Sequence, residues 1–149
     1  MPDFSMTFTN ASNTTFKCIR GETPSDPVLD TINQSPAEHL TKFGTETLSW
    51  SQAASTIATF NDASVYWEDP NSNKWFGVKI HAPVQIFTIG TAPYYQVSYY
   101  DGNEKKEWYT PVDDPSTVFT FPDSVPWKVI VRPTAAHTTL YLSISISDK

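Results

Sequence analysis

VYWEDPNSNKWFGVKIHAPVQIFTIGTAPYYQVSYYDGNEKKEWY, residues 65 to 109, gathers paired aromatics between short alternating segments and turn signals. It contains Tyr66-Trp67, Trp75-Phe76, Tyr94-Tyr95, Tyr99-Tyr100 and Trp108-Tyr109. Aromatic and β-branched residues suit a pleated, half-buried surface, so the block reads as consecutive antiparallel strands. Neighbouring strand residues point to opposite faces, so in each doublet one ring enters the core and the other faces outward. Trp75 to Ala82 illustrates the alternation: Phe76, Val78 and Ile80 share one face, opposed by Trp75, Lys79 and His81.

Outward from this block the same grammar continues. Met6 and Phe8 alternate with threonines, and Asn10-Ala11-Ser12-Asn13 supplies a turn before Thr14 to Ile19, which predicts an opening hairpin. Residues 20 to 37 carry Pro24, Pro27 and Pro36 and read as a loop. Ser35-Pro36-Ala37-Glu38 fits either a short capped helical turn or an extended loop before a strand at His39 to Phe43. Leu48 and Trp50 mark another strand, while Gln52 to Phe60 fits helix, strand or loop. Asn61-Asp62-Ala63 reads as a turn, and Asp69-Pro70 through Lys74 as a denser one. Asp101-Gly102 between aromatic runs is the strongest hairpin signal, with a return strand over Glu107 to Thr110. Strands at Thr117 to Phe121, Trp127 to Arg132 and Thr138 to Ser147 follow. The last aligns Leu140, Leu142, Ile144 and Ile146 on one face. Short strands without βα alternation predict one all-β domain over residues 1–149, an antiparallel β-sandwich of jelly-roll type. Its expected core holds Trp50, Phe76, Val78, Ile80, Val97, Phe119, Val129 and the Leu140 row.

Composition narrows the function. Of 149 residues, 39% are apolar, 14% aromatic and only 17% charged, and 12 prolines outnumber 5 glycines. The net charge of -6 and the lack of clustered Lys and Arg argue against nucleic acid and against anionic lipid surfaces. The first residues carry neither a basic n-region nor a long apolar run, so the expected location is cytoplasmic, or outside by release without a signal peptide. Cys18, the single cysteine, shares a strand face with Phe16 and reads as a small core residue. His39, His81 and His137 lack metal-ligand spacing, and Glu68-Asp69 and Asp113-Asp114 lie before prolines as turn acids do. Asp101-Gly102-Asn103 lacks the remaining positions of a calcium loop. The expectation is a binding protein with no enzymatic activity, cofactor or metal.

What it binds follows from rings left over after the core is filled. Trp75, Tyr94, Tyr95, Tyr100, Trp108 and Tyr109 lie near strand ends and are the candidate ligand contacts. Trp and Tyr suit the membrane–water interface and can hold a quaternary ammonium by cation–π attraction, about 1–2 kcal/mol per well-placed ring. Aromatic faces also stack on sugars. Membrane lipid, with a zwitterionic or sphingolipid headgroup, and glycan both remain open.

Met6-Thr7-Phe8-Thr9-Asn10-Ala11-Ser12-Asn13-Thr14-Thr15-Phe16 resembles the opening of aegerolysins and of related small bacterial insecticidal crystal proteins. The order that follows is similar: a proline-containing loop ending in Ile32, an aromatic before Gly44, Val65-Tyr66-Trp67, then Asp69-Pro70. The family is richer in glycine, fungal members often carry a Cys-Pro-Trp segment absent here, and Val84 to Pro93 has no counterpart. The resemblance implies a β-sandwich that recognises membrane lipids as a cytolysin, toxin or defence component, often with a second, pore-forming protein. Actinoporin-like proteins and fungal fruit-body lectins share the same broad pattern.

Overall fold

A computed structural model describes residues 3–19, 30–52, 60–83, 93–106, 117–136 and 139–149. They form strands β1 (Asp3–Asn10), β2 (Phe16–Ile19), β3 (Asp30–Gln34), β4 (His39–Leu40), β5 (Thr45–Gln52) and β6 (Phe60–Asp69). Then come β7 (Lys74–Pro83), β8 (Tyr94–Tyr100), β9 (Thr117–Thr120), β10 (Trp127–Ala136) and β11 (Thr139–Asp148). One sheet has the order β3-β5-β1-β11-β10-β9 and the other β4-β2-β6-β7-β8. Their apolar faces pack together, so the chain folds as a β-sandwich.

Alternation decides which side chains meet. Phe4, Met6 and Phe8 on β1, Leu48 and Trp50 on β5, and the Leu140–Ile146 row on β11 are buried from one sheet. Val65 and Trp67 on β6, Phe76, Val78 and Ile80 on β7, and Tyr95, Val97 and Tyr99 on β8 are buried from the other. Rings interlock across the gap. Phe8 meets Trp67 edge-on at 5.7 Å, and Trp127 meets Phe16 at 4.8 Å and Phe76 at 6.4 Å. Trp127 also donates from Nε1 to Thr14 Oγ1 at 3.1 Å, which satisfies its polar atom at the core margin.

Four expectations are corrected: within the expected loop over residues 20 to 37, Asp30–Gln34 forms the edge strand β3 paired with β5, and three more follow. β1 and β2 do not form a hairpin: β1 pairs with β5 and β11, while β2 pairs with β4 and β6. Both strands are apolar on one face, and the segment between them arches from one sheet to the other. The cause is visible at Asn10, which is fully buried. Its Nδ2 donates to the carbonyls of Thr14 (2.7 Å) and Leu40 (3.2 Å), and its Oδ1 accepts from the Ser12 backbone N–H (3.0 Å) and Oγ (2.6 Å). Second, Asn61-Asp62-Ala63 is not a turn but lies within β6, whose pairing with β7 runs unbroken from Phe60↔Pro83 to Asp69↔Lys74. Turn-prone residues are overridden there by a long ladder. Third, β1 and β11 pair in parallel, Phe4↔Leu140 through Asn10↔Ile146, so the sandwich is antiparallel in every other pairing. At Ser35 to Glu38 the extended alternative holds, followed by the two-residue β4. The segments at 53–59, 84–90 and 107–110 lie outside the described residues.

Asn10→Ala should lower unfolding free energy by roughly 3 kcal/mol, since buried carbonyls would lose their donor. The isosteric Asn10→Asp should cost at least as much, because a carboxylate oxygen would then face two carbonyl oxygens. Urea unfolding of both variants checks this; a shift for either below about 1 kcal/mol would mean the amide is not structural.

Candidate recognition face

Cross-strand register fixes what lines the outer face of the five-stranded sheet. One row runs Lys17↔Glu68↔Trp75↔Tyr100 and the next Ile19↔Tyr66↔Gly77↔Ser98. Beyond these lie Ser64↔Lys79↔Gln96 and then Asp62↔His81↔Tyr94. Trp75, Tyr66 and Tyr100 are half-buried, and both tyrosines contact Trp75. Tyr66 meets Trp75 edge-on at 5.1 Å, and Tyr100 stacks on Trp75 at 5.9 Å with planes 28° apart. Gly77, directly opposite Tyr66, carries no side chain and is buried.

A cation and a rigid turn complete this end. The Lys105 ammonium lies 5.7 Å from the Trp75 ring centroid. It is carried there by the hairpin after β8, where Tyr100 bridges Lys105 and Lys106 N–H donates to Tyr99 O at 3.2 Å. Asp101 caps the turn: its Oδ1 accepts from the backbone N–H groups of Glu104 (2.6 Å) and Asn103 (2.9 Å). Ser124 Oγ donates to its Oδ2 at 3.1 Å. These bonds, that from Glu104 foremost, hold the Asp101 carboxyl below its ordinary pKa. Asp101-Gly102-Asn103 is thus a turn, with Gly102 at φ +93°.

A second cluster sits six residues along β7, about 20 Å away. His81 Nδ1 lies 2.7 Å from Asp62 Oδ1. Lys79 Nζ lies 3.2 Å from Asp62 Oδ2, and Tyr94 stacks on the imidazole at 4.6 Å. Together they tie β6, β7 and β8 on the outer face.

The candidate contacts therefore divide. Trp75 and Tyr100 come together, Tyr94 stands 41% exposed in the separate His81 cluster, and Trp108 and Tyr109 lie outside the described residues. Tyr95 is corrected: it is 2% exposed and packs against Phe119, because alternation sends it inward when Tyr94 faces out. Two members escaped the sequence reading, Tyr66 and Lys105. The first was readable from its doublet, the second only from hairpin register. Cys18 is half-buried beside the core, and burial pushes its thiol pKa up, the opposite of an activated thiolate. Among the described residues no His, Cys, Asp and Glu cluster could hold a metal, and no helix is long and apolar enough to cross a membrane. No family model matches this sequence, and no curated protein matches it.

The Asp101 turn has a defined pH response. A carboxyl whose folded pKa is depressed stabilises the fold above its unfolded pKa, and that contribution is lost as pH falls through the lower folded value. Carboxyl NMR should show Asp101 titrating below the ordinary Asp range, and Asp101→Asn should abolish the acid-dependent shift of the Glu104 amide. An ordinary Asp101 midpoint would contradict the capping geometry.

Proposed function

We propose that this protein binds membrane lipids through the outward aromatic cluster, acting by recognition rather than catalysis. The carrying observation is that Trp50, Trp67 and Trp127 are buried in the core while Trp75 stays at the surface, stacked with Tyr100 and beside Lys105. Phosphocholine carries a quaternary ammonium and a phosphate a few bonds apart. The Trp75–Tyr100 rings suit the first by cation–π attraction, and Lys105 suits the second. A net charge of -6 fits a zwitterionic headgroup better than an anionic surface. Sphingomyelin presents this headgroup. The resemblance to aegerolysins points the same way, to a cytolysin, toxin or defence component that hands a target membrane to a second, pore-forming protein.

Carbohydrate is the second reading. Half-buried stacked rings beside Asp101, Asn103 and Glu104 also offer the mixture of ring face and polar groups that sugars use, and a lectin would place its ligand on the same surface.

Sedimentation with sphingomyelin–cholesterol vesicles, run beside a glycan array, separates the two. The lipid reading predicts vesicle binding that Trp75→Ala weakens about tenfold, as expected for loss of a central aromatic anchor. Lys105→Ala should weaken it less. Glycan binding that free sugars compete, with no vesicle binding, would overturn it in favour of the lectin.

A further inference from the structure

The turn between β4 and β5 holds a bulky side chain where physics disfavours one. Phe43 is 76% exposed and adopts φ +62°, the left-handed region that costs an aromatic residue conformational energy. Glycine would relieve that cost, and the chain has a glycine in the next position. Gly44, however, is needed where it stands, since a Cβ there would come within 2.8 Å of Thr41 Oγ1 and 2.9 Å of Thr41 O. The conformation of Phe43 is held by the arch around Asn10. Phe43 N–H donates to Asn10 O at 2.6 Å, Gly44 N–H to Thr41 O at 2.8 Å, and Asn10 N–H to Gly44 O at 3.0 Å. The ring therefore projects from a fixed platform.

Its position is as telling as its strain. Phe16↔Leu40 lies one register step beyond Lys17↔Glu68↔Trp75↔Tyr100, toward the same end of the five-stranded sheet. Residues 41–44 thus leave that sheet at the end where the 69–74 and 101–106 turns stand, about 15 Å across it from Trp75 at the usual strand spacing. Around the ring are polar groups. Lys42 Nζ lies 5.0 Å from the Phe43 centroid and donates to Asn13 Oδ1 at 2.7 Å, and Thr41 and Thr45 are exposed. A protein partner would engage a contiguous patch with an apolar centre. One apolar ring on a rigid polar tip, with an ammonium at its base, matches instead the boundary between headgroups and acyl chains.

We propose that Phe43 is a membrane-insertion anchor: it enters the bilayer interface while the Trp75–Tyr100 cluster, at the same end, engages the headgroup. The inference rests on the lipid reading above and adds a second contact to it. Lys42 then sits at phosphate level, and the strained backbone keeps the ring presented before contact.

The test uses the full chain with Cys18→Ala and Phe43→Cys, labelled at residue 43 with an environment-sensitive dye. Vesicles contain sphingomyelin, phosphatidylcholine and cholesterol. Insertion predicts a blue-shifted emission that brominated lipids quench. Phe43→Gly provides the control for folding: it should keep or raise the melting temperature, because glycine accepts φ +62°, while weakening vesicle binding of the otherwise native chain about tenfold. If the native chain binds vesicles but the dye stays aqueous and Phe43→Gly binds equally well, the anchor is overturned and the headgroup reading stands. If the native chain does not bind vesicles at all, both fall. A dye shift that follows protein concentration without vesicles would assign Phe43 to self-association and overturn the anchor.

Discussion

A single buried amide organises one end of this molecule. Asn10 ends β1 in the six-stranded sheet, and its side chain reaches Thr14 and Leu40, which lead into β2 and end β4 in the five-stranded sheet. Its backbone meanwhile pairs with Phe43 and Gly44, ahead of β5. One side chain thus fixes where the chain crosses between sheets, twice. An apolar residue there could fill the volume, but it would leave buried carbonyls without donors, and each such loss costs about 1–3 kcal/mol. Neighbouring ties extend the same frame. Asn13 N–H donates to Asp148 Oδ2, and the Lys149 ammonium donates to the carbonyls of Phe121 and Pro122. Rigidity at this end gives the projecting rings a defined geometry, which lowers the entropy lost when a ligand is engaged.

The two outer faces of the sandwich differ in a way that localises recognition. On the six-stranded sheet, outward positions of β1 and β5 are Ser5, Thr7, Thr9, Thr45, Thr47 and Ser49, and their hydroxyls pair across strands, Thr7 with Thr47 at 3.0 Å and Thr9 with Thr45 at 3.4 Å. This part of the face satisfies itself and water, while Tyr141 and Val118 stand exposed farther across the same sheet. The five-stranded sheet instead carries stacked rings and the His81–Asp62–Lys79 group. Cores prefer rings inward because each buries a large apolar area. Rings kept outward in stacked register are the exception; the Trp75–Tyr100 stack lies toward the end that Asn10 braces, and the Tyr94–His81 stack toward the other.

How much was legible depended on whether the signal was local. Alternation along β7 and β11 assigned every inward residue correctly, because a one-residue slip would expose an entire aliphatic row. The same alternation separates Trp75 from Phe76, and it carries the information that places Tyr66 outward and Trp67 inward. It would have sorted Tyr94 from Tyr95 too, had proximity to a turn not been weighed above alternation. Partners were less legible. Asn10-Ala11-Ser12-Asn13 has the composition of a hairpin turn, and nothing local distinguishes a turn that joins neighbouring strands from an arch that joins two sheets. The parallel β1–β11 pair joins residues more than 130 positions apart in sequence. Phe43 was legible only as an aromatic before a glycine; its exposure follows from hydrogen bonds to Asn10 that no spacing reveals.

In the proposed function a braced end of the sandwich meets a lipid surface without rearranging. Hydrogen exchange of backbone amides, compared with and without sphingomyelin–cholesterol vesicles, tests this most directly. Slow exchange at Phe43 and Ser12 in the free protein, with added protection on vesicles confined to residues 41–45, 69–75 and 100–106, is the predicted result. Fast exchange at those amides in the free protein, or vesicle protection falling on the hydroxyl-covered face of the six-stranded sheet, would contradict it.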